Sequence, residues 1–164
     1  QLPEAQLDRF MIKDLLTHPS PNEEVEILAR LDSGVFDKDS VPAASCTLED
    51  VMTMQRYART IYIDTSITRY LVELVHATRN TQKYLGRLAP YIEYGASPRA
   101  SIAFTNAGRA LAMIRGRNYV IPEDIKDLAH RVLAHRIQLN FEAAAENITS
   151  AQVVDALLMA VPTP

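Results

Sequence analysis

The sequence predicts a mainly α fold, a helical bundle preceded by a short N-terminal segment suited to pairing with a sheet. Two observations lead there. Apolar residues recur at helical spacing in three separate segments, and cap motifs stand where helices would begin. Strand signals are nearly missing, with Phe10-Met11-Ile12 the one apolar run read as a strand.

Taken in order, Gln1 to Leu16 opens with a short polar helix-like stretch and reaches that run. A lone strand leaves its backbone edges unpaired, so a sheet outside this sequence is its expected partner. Ser20-Pro21-Asn22-Glu23 combines an N-cap, a proline at the first helical position and a capping-box glutamate. The helix it opens should run to about Asp32 and stop at Gly34. Val35 to Cys46 reads as a loop, long for a compact domain. Thr47-Leu48-Glu49-Asp50 starts a helix that should reach Thr60.

Ile67, Leu71, Leu74, Val75 and Thr78 then share one helical face. Ala103, Ala107, Ala110, Leu111 and Ile114 repeat the spacing, with alanines that admit a close partner helix. Ile125, Leu128, Ala129, Val132, Leu133 and Ile137 form the cleanest stripe. Gly116 should end one helix and Pro122-Glu123-Asp124 begin the next, a tight turn with no chemistry of its own. Thr149-Ser150-Ala151-Gln152 caps a last helix that Pro162 and Pro164 terminate.

Composition narrows the function. The 164 residues are 48% hydrophobic and 23% charged, ordinary for a globular chain, and the net charge of −3 gives no overall basic field for nucleic acid. No apolar run is long enough to span a membrane. The single cysteine, Cys46, excludes an internal disulfide framework and suits a cytoplasmic setting. His130 and His135 lie five apart and His18 and His76 lack ligand neighbours, so no metal site is expected. The opening Gln1-Leu2-Pro3 lacks a methionine and reads as a piece of something longer.

Two arginines carry what chemistry there is. Ser97 reads as an N-cap and Pro98 as the first helical residue, which places Arg99 in the opening turn. A cation there opposes the helix dipole at a cost of about 0.3–1 kcal/mol. It is either a solvated surface arginine or, with the free backbone N–H groups, half of an anion site. Arg9 follows the amphipathic opening and precedes Phe10, read as buried, so it projects from a fixed base. Asp8 could orient it. Such an arginine is either a structural salt-bridge partner or a group delivered to a phosphate on another subunit.

Together these segments resemble the MoxR family of AAA+ ATPases. Leu2-Pro3-Glu4-Ala5-Gln6-Leu7-Asp8-Arg9-Phe10 looks like the stretch after the family's sensor-1 motif, and Ala96-Ser97-Pro98-Arg99-Ala100 resembles sensor 2. The segment from Gly116 to Ile125 resembles the turn between lid helices, and Leu74 to Arg79 and Val132 to Ile137 also fit. The resemblance implies a helical lid over residues 19–164 and the last edge of an α/β ATPase core over residues 1–18. Arg9 would be an arginine finger acting in trans, and Arg99 the sensor-2 arginine contacting ATP phosphates. Asp8 would support the subunit edge, while Arg117 and Tyr119 stay structural.

It also implies a parent that binds ATP and Mg, forms a ring (a hexamer by expectation) and matures or inserts metal centres in partners, commonly von Willebrand A domain proteins. The nucleotide-binding loop, the acidic metal motif and the sensor-1 asparagine have no counterpart in these residues, so this stretch alone should not hydrolyse ATP. Ile121 also lacks the capping oxygen that the family places there, which leaves that helix end without an evident cap. Two other readings stand beside this one. One is the lid of a magnesium-chelatase-like or restriction-associated motor. The other is a helix-turn-helix module using Arg115, Arg117, Arg131 and Arg136, although Glu123, Asp124 and Asp127 would meet phosphate badly.

Overall fold

Helix packing around alanine and glycine sets the architecture. The structure is a computed structural model and describes residues 3–35 and 44–164. These fall into two compact units, one made of residues 1–13 and 55–164 and the other of residues 14–54. The expected loop after Val35 lies mostly outside the described residues, since 36–43 are not among them.

The smaller unit holds α2 (Pro21–Asp32) and the first half of α3 (Leu48–Thr60). Both start as the sequence predicts. The Ser20 amide donates to the Glu23 carboxylate at 2.7 Å while the Glu23 amide donates back to Ser20 Oγ, and Thr47 and Asp50 repeat the exchange. Gly34, at φ 72°, takes the left-handed position just past α2. Neither helix buries a residue, and Val25 and Leu28 are exposed.

The larger unit begins with a single turn, α1 (Glu4–Leu7). Phe10-Met11-Ile12 forms no strand there, and Phe10 is 54% exposed instead of buried. The reason is visible in the backbone. The Lys13 amide donates to the Arg131 carbonyl, and the Phe10 and Met11 carbonyls accept from Arg136, so a side chain takes the place of a neighbouring strand.

Its core gathers α4 (Thr65–Ala77), α6 (Pro98–Ile114), α7 (Pro122–Leu133) and α9 (Ser150–Ala160). Two short helices, α5 (Thr81–Tyr84) and α8 (Phe141–Ala145), and a 3-10 turn over Gly86–Tyr91 complete it. The stripes on α4 and α7 are buried as predicted, from Ile67 to Thr78 and from Ile125 to Ile137. The α6 stripe is rotated. Ala100, Ala103, Phe104, Ala107, Gly108 and Ala112 face inward, whereas Ile114 is 77% exposed. Phe104 is the reason, because burying that ring is worth about 1.5–3 kcal/mol and turns the helix towards it. A Cβ on Gly108 would stand 3.3 Å from Ile125 Cδ1, so small residues let α6 approach α7.

A small antiparallel sheet that the periodicity did not show joins β1 (Ile92–Tyr94) to β2 (Gln138–Leu139). At two and three residues these strands are too short for alternation to register.

The turn between α6 and α7 is held electrostatically. Ile121 has no side-chain oxygen, so Asp124, three residues on, caps the helix by accepting the Ile121 amide at 3.0 Å. The helix end that lacked an evident cap is therefore formed. Asp124 is fully buried and also accepts from Arg115 at 2.9 Å and from both terminal nitrogens of Arg117. Burial alone would push its pKa up; Arg117, the Ile121 amide and Arg115 outweigh that and hold it below the ordinary value of 3.8.

A depressed folded-state pKa adds stability that is complete above 3.8 and disappears as pH falls through the lower folded value. Asp124→Asn should therefore lower stability at neutral pH by about 1.5–3 kcal/mol, since the buried carboxylate gives up its charge-assisted bonds to Arg117 and Arg115. Denaturant unfolding should show the gap between the two proteins narrowing once both are studied below the folded pKa.

Candidate functional site

Arg99 owes its position to a close backbone approach. A Cβ on Gly95 would fall 2.3 Å from the Thr78 carbonyl oxygen, so only glycine lets the chain pass there. The buried Thr78 hydroxyl accepts the Ala96 amide at 2.9 Å and donates to the Val75 carbonyl. That anchors Ser97, the N-cap of α6, whose hydroxyl accepts the Arg99 amide at 3.2 Å. Arg99 then projects from the opening turn with its side chain 53% exposed.

Asp8 sits opposite. Ser97 Oγ donates to its carboxylate at 2.8 Å, Arg136 Nε donates at 3.1 Å, and Arg99 Nε stands 4.0 Å away. The last contact is long and half exposed, worth little on its own. Arg136 is the opposite case, its side chain only 2% exposed. Burial pushes its pKa down, and the neighbouring Asp8 carboxylate pushes it back up.

Arg9 differs from both. It is exposed, and among the described residues its guanidinium has no hydrogen-bonding or ionic partner. Asp8 was expected to orient Arg9; its carboxylate turns instead to Ser97 and Arg136, which offer it a buried, better-donating environment. Arg9 and Arg99 line one concavity of about 220 Å³ with Asn106, and Asp8 and Arg136 also border it. Three guanidiniums and one carboxylate leave that hollow with surplus positive charge, the field an anion requires. A broader groove of about 1190 Å³ also reaches Asp8 and Arg136 and is bordered by Lys13, Tyr94 and His135. Burial, with Arg136 beside it, lowers the His135 pKa and favours the neutral ring.

Arg136 is the residue that sequence reasoning missed. It was grouped with surface cations of a nucleic-acid reader, yet it is buried, and Arg115 and Arg117 are taken up by Asp124 and Asp127. Its signal was present. Arg136 stands four residues after Val132 and three after Leu133, in register with the buried stripe. Among the described residues no three His, Cys, Asp or Glu side chains gather as a metal site would need, and no helix is long and apolar enough to cross a membrane.

Residues 86–157 match the AAA lid domain family. The chain is 37% identical over 164 residues to Chaperone MoxR1 of Mycobacterium tuberculosis (strain ATCC 25618 / H37Rv), covering 99% of this chain and 42% of the relative. It is 38% identical to the uncharacterized protein YeaC of Bacillus subtilis (strain 168), covering 99% of this chain and 48% of that one. A crystal structure from Cytophaga hutchinsonii ATCC 33406, described as a candidate ATPase, superposes with a TM-score of 0.93 at 38% identity. It covers all of this chain and 49% of that protein. The chain thus spans about half the length of the relatives it matches.

Gly95→Ala should distort the start of α6, because the added methyl meets a backbone carbonyl that cannot yield. A loss of about 1–3 kcal/mol is expected on thermal or denaturant unfolding.

Proposed function

The chain belongs to the MoxR-like AAA+ proteins, and on that premise we propose that the protein carrying it is an ATP-hydrolysing, ring-forming chaperone. In this reading residues 1–18 are the edge of the ATPase core and residues 19–164 the lid. One observation carries it. An arginine with no partner among the described residues and an arginine in a helix's first turn line one hollow with excess positive charge.

Arg99 would bind ATP phosphates and report their presence to the lid, its charge adding to that of the α6 N-terminus. Arg9 would be the arginine finger, its planar fork neutralising charge that builds on the transferring phosphoryl group of a neighbouring subunit. ATP and Mg would be held by segments outside this sequence. The expected clients are partner proteins in the cytoplasm whose metal centres are matured or inserted, von Willebrand A domain proteins among them.

A second arrangement is favoured by the shared hollow itself, with Arg9 and Arg99 engaging phosphates of one nucleotide within a single subunit. Mixed oligomers of the full-length protein separate the two. Arg9→Ala subunits and subunits with a disabled nucleotide site should each be inactive, and mixing should restore ATP hydrolysis if Arg9 acts across the boundary. If mixing restores nothing while Arg9→Ala alone is inactive, Arg9 acts within its own subunit. A normal rate in Arg9→Ala alone rejects the finger altogether. Arg99→Ala should weaken ATP binding about tenfold or more, read by nucleotide titration.

A further inference from the structure

We propose that Arg136 is a positioning residue that holds Arg9 in place and ties it, through Asp8, to the helix bearing Arg99. The inference rests on the reading of Arg9 given above. An arginine offers five N–H donors in a rigid fork, and Arg136 has an acceptor for each. Nε donates to the Asp8 carboxylate at 3.1 Å. One terminal nitrogen donates to the Met11 carbonyl at 3.3 Å and to the Val132 carbonyl. The other donates to the Asp8 carbonyl at 3.2 Å and to the Phe10 carbonyl.

The consequence lies in which residues are held. Asp8 and Phe10 flank Arg9, and a single nitrogen of Arg136 grips both of their carbonyls. Arg9 therefore stands at the apex of a clamped loop, its backbone fixed and its side chain exposed. The same Asp8 carboxylate that meets Arg136 accepts from Ser97, the N-cap of α6, two residues before Arg99. One carboxylate thus joins the loop of Arg9 to the helix start of Arg99. A shift of α6 as Arg99 takes up a phosphate would be felt at Arg9 through this joint, and by linkage the reverse holds as well.

Lysine at position 136 keeps the charge but has neither the fork nor the donors to span these carbonyls. In the full-length protein, Arg136→Lys should lower kcat for ATP at least about tenfold, as misplacement of a reacting group by an ångström does, with little change in KM. On an Arg9→Ala background the same substitution should cost nothing further in the residual rate, read by single-turnover hydrolysis at high enzyme concentration, because the residue it positions is gone. A merely structural role predicts the contrary, a loss that multiplies on either background. A normal kcat in Arg136→Lys beside an impaired Arg9→Ala overturns the clamp and leaves the finger standing. A normal kcat in Arg9→Ala overturns both. Should Arg136→Lys fail to assemble, Asp8→Asn, which keeps shape and the carbonyl contacts, is read by the same two-background comparison.

Discussion

A guanidinium withdrawn from water must find an acceptor for every N–H or the fold cannot tolerate it, and Arg136 meets that demand by gathering a carboxylate and four carbonyls. Three of those carbonyls belong to a stretch with no regular structure of its own. Without the arginine, the residues from Asp8 to Met11 would have no ladder, no helix and little apolar burial to hold them, since Phe10 and Met11 are both exposed. One side chain thus does much of the work of a strand in holding this segment to the larger unit, helped by the Ser97 hydroxyl on Asp8 and the Lys13 amide on Arg131. The buried charge is not a gain in stability as such; its value is that few other arrangements of this segment satisfy it.

The bundle behind it depends on close approach. Gly95 admits the chain against the Thr78 backbone, Gly108 admits Ile125, and alanines at 100, 103, 107 and 112 keep α6 thin along its buried side. Phe104 fills what they leave. A thin helix with a single large ring is a specified arrangement, because sliding it by a turn would replace alanine with bulk and open a void where the ring had been. The position of Ser97, and with it Arg99, follows from that packing and not from any contact the arginine makes for itself.

Much of this was legible in the residues. Four capping motifs lie where the helices begin, and the stripes on α4 and α7 are buried, because caps and periodicity are local properties. Ser97-Pro98-Arg99 behaves as its order suggests. The exceptions are non-local. Ile114 was assigned to the core by spacing alone, but Phe104 rotates the helix away from it. Phe10-Met11-Ile12 has the composition of a strand, yet its hydrogen bonds go to a side chain more than a hundred residues later, which no window can see. Asp8 beside Arg9 invites an ion pair between neighbours; the charged partner it takes lies three residues past the end of α7. Arg136 could have been suspected, since a charge in register with a buried stripe requires a counter-charge from elsewhere.

Helices α6 and α7, both started by a proline, present a contrast that bears on the site. Both leave free amides and a positive dipole end at their first turn. At α7 the problem is closed from within, for Asp124 caps the turn and Arg115 and Arg117 match Asp124 in turn. At α6 the first turn carries Arg99 where α7 carries acids, its nearest carboxylate is 4.0 Å away and already shared, and Arg9 borders the same hollow with no partner among the described residues. Like charges collected at the positive end of a helix raise the energy of the unliganded protein, and an anion relieves each of those repulsions at once. The fold supplies the means of neutralising such an end, as α7 demonstrates twenty-four residues further along, where acids stand in the first turn. An anion drawn to Arg99 or to Arg9 would supply there the negative charge that Asp124 supplies at α7.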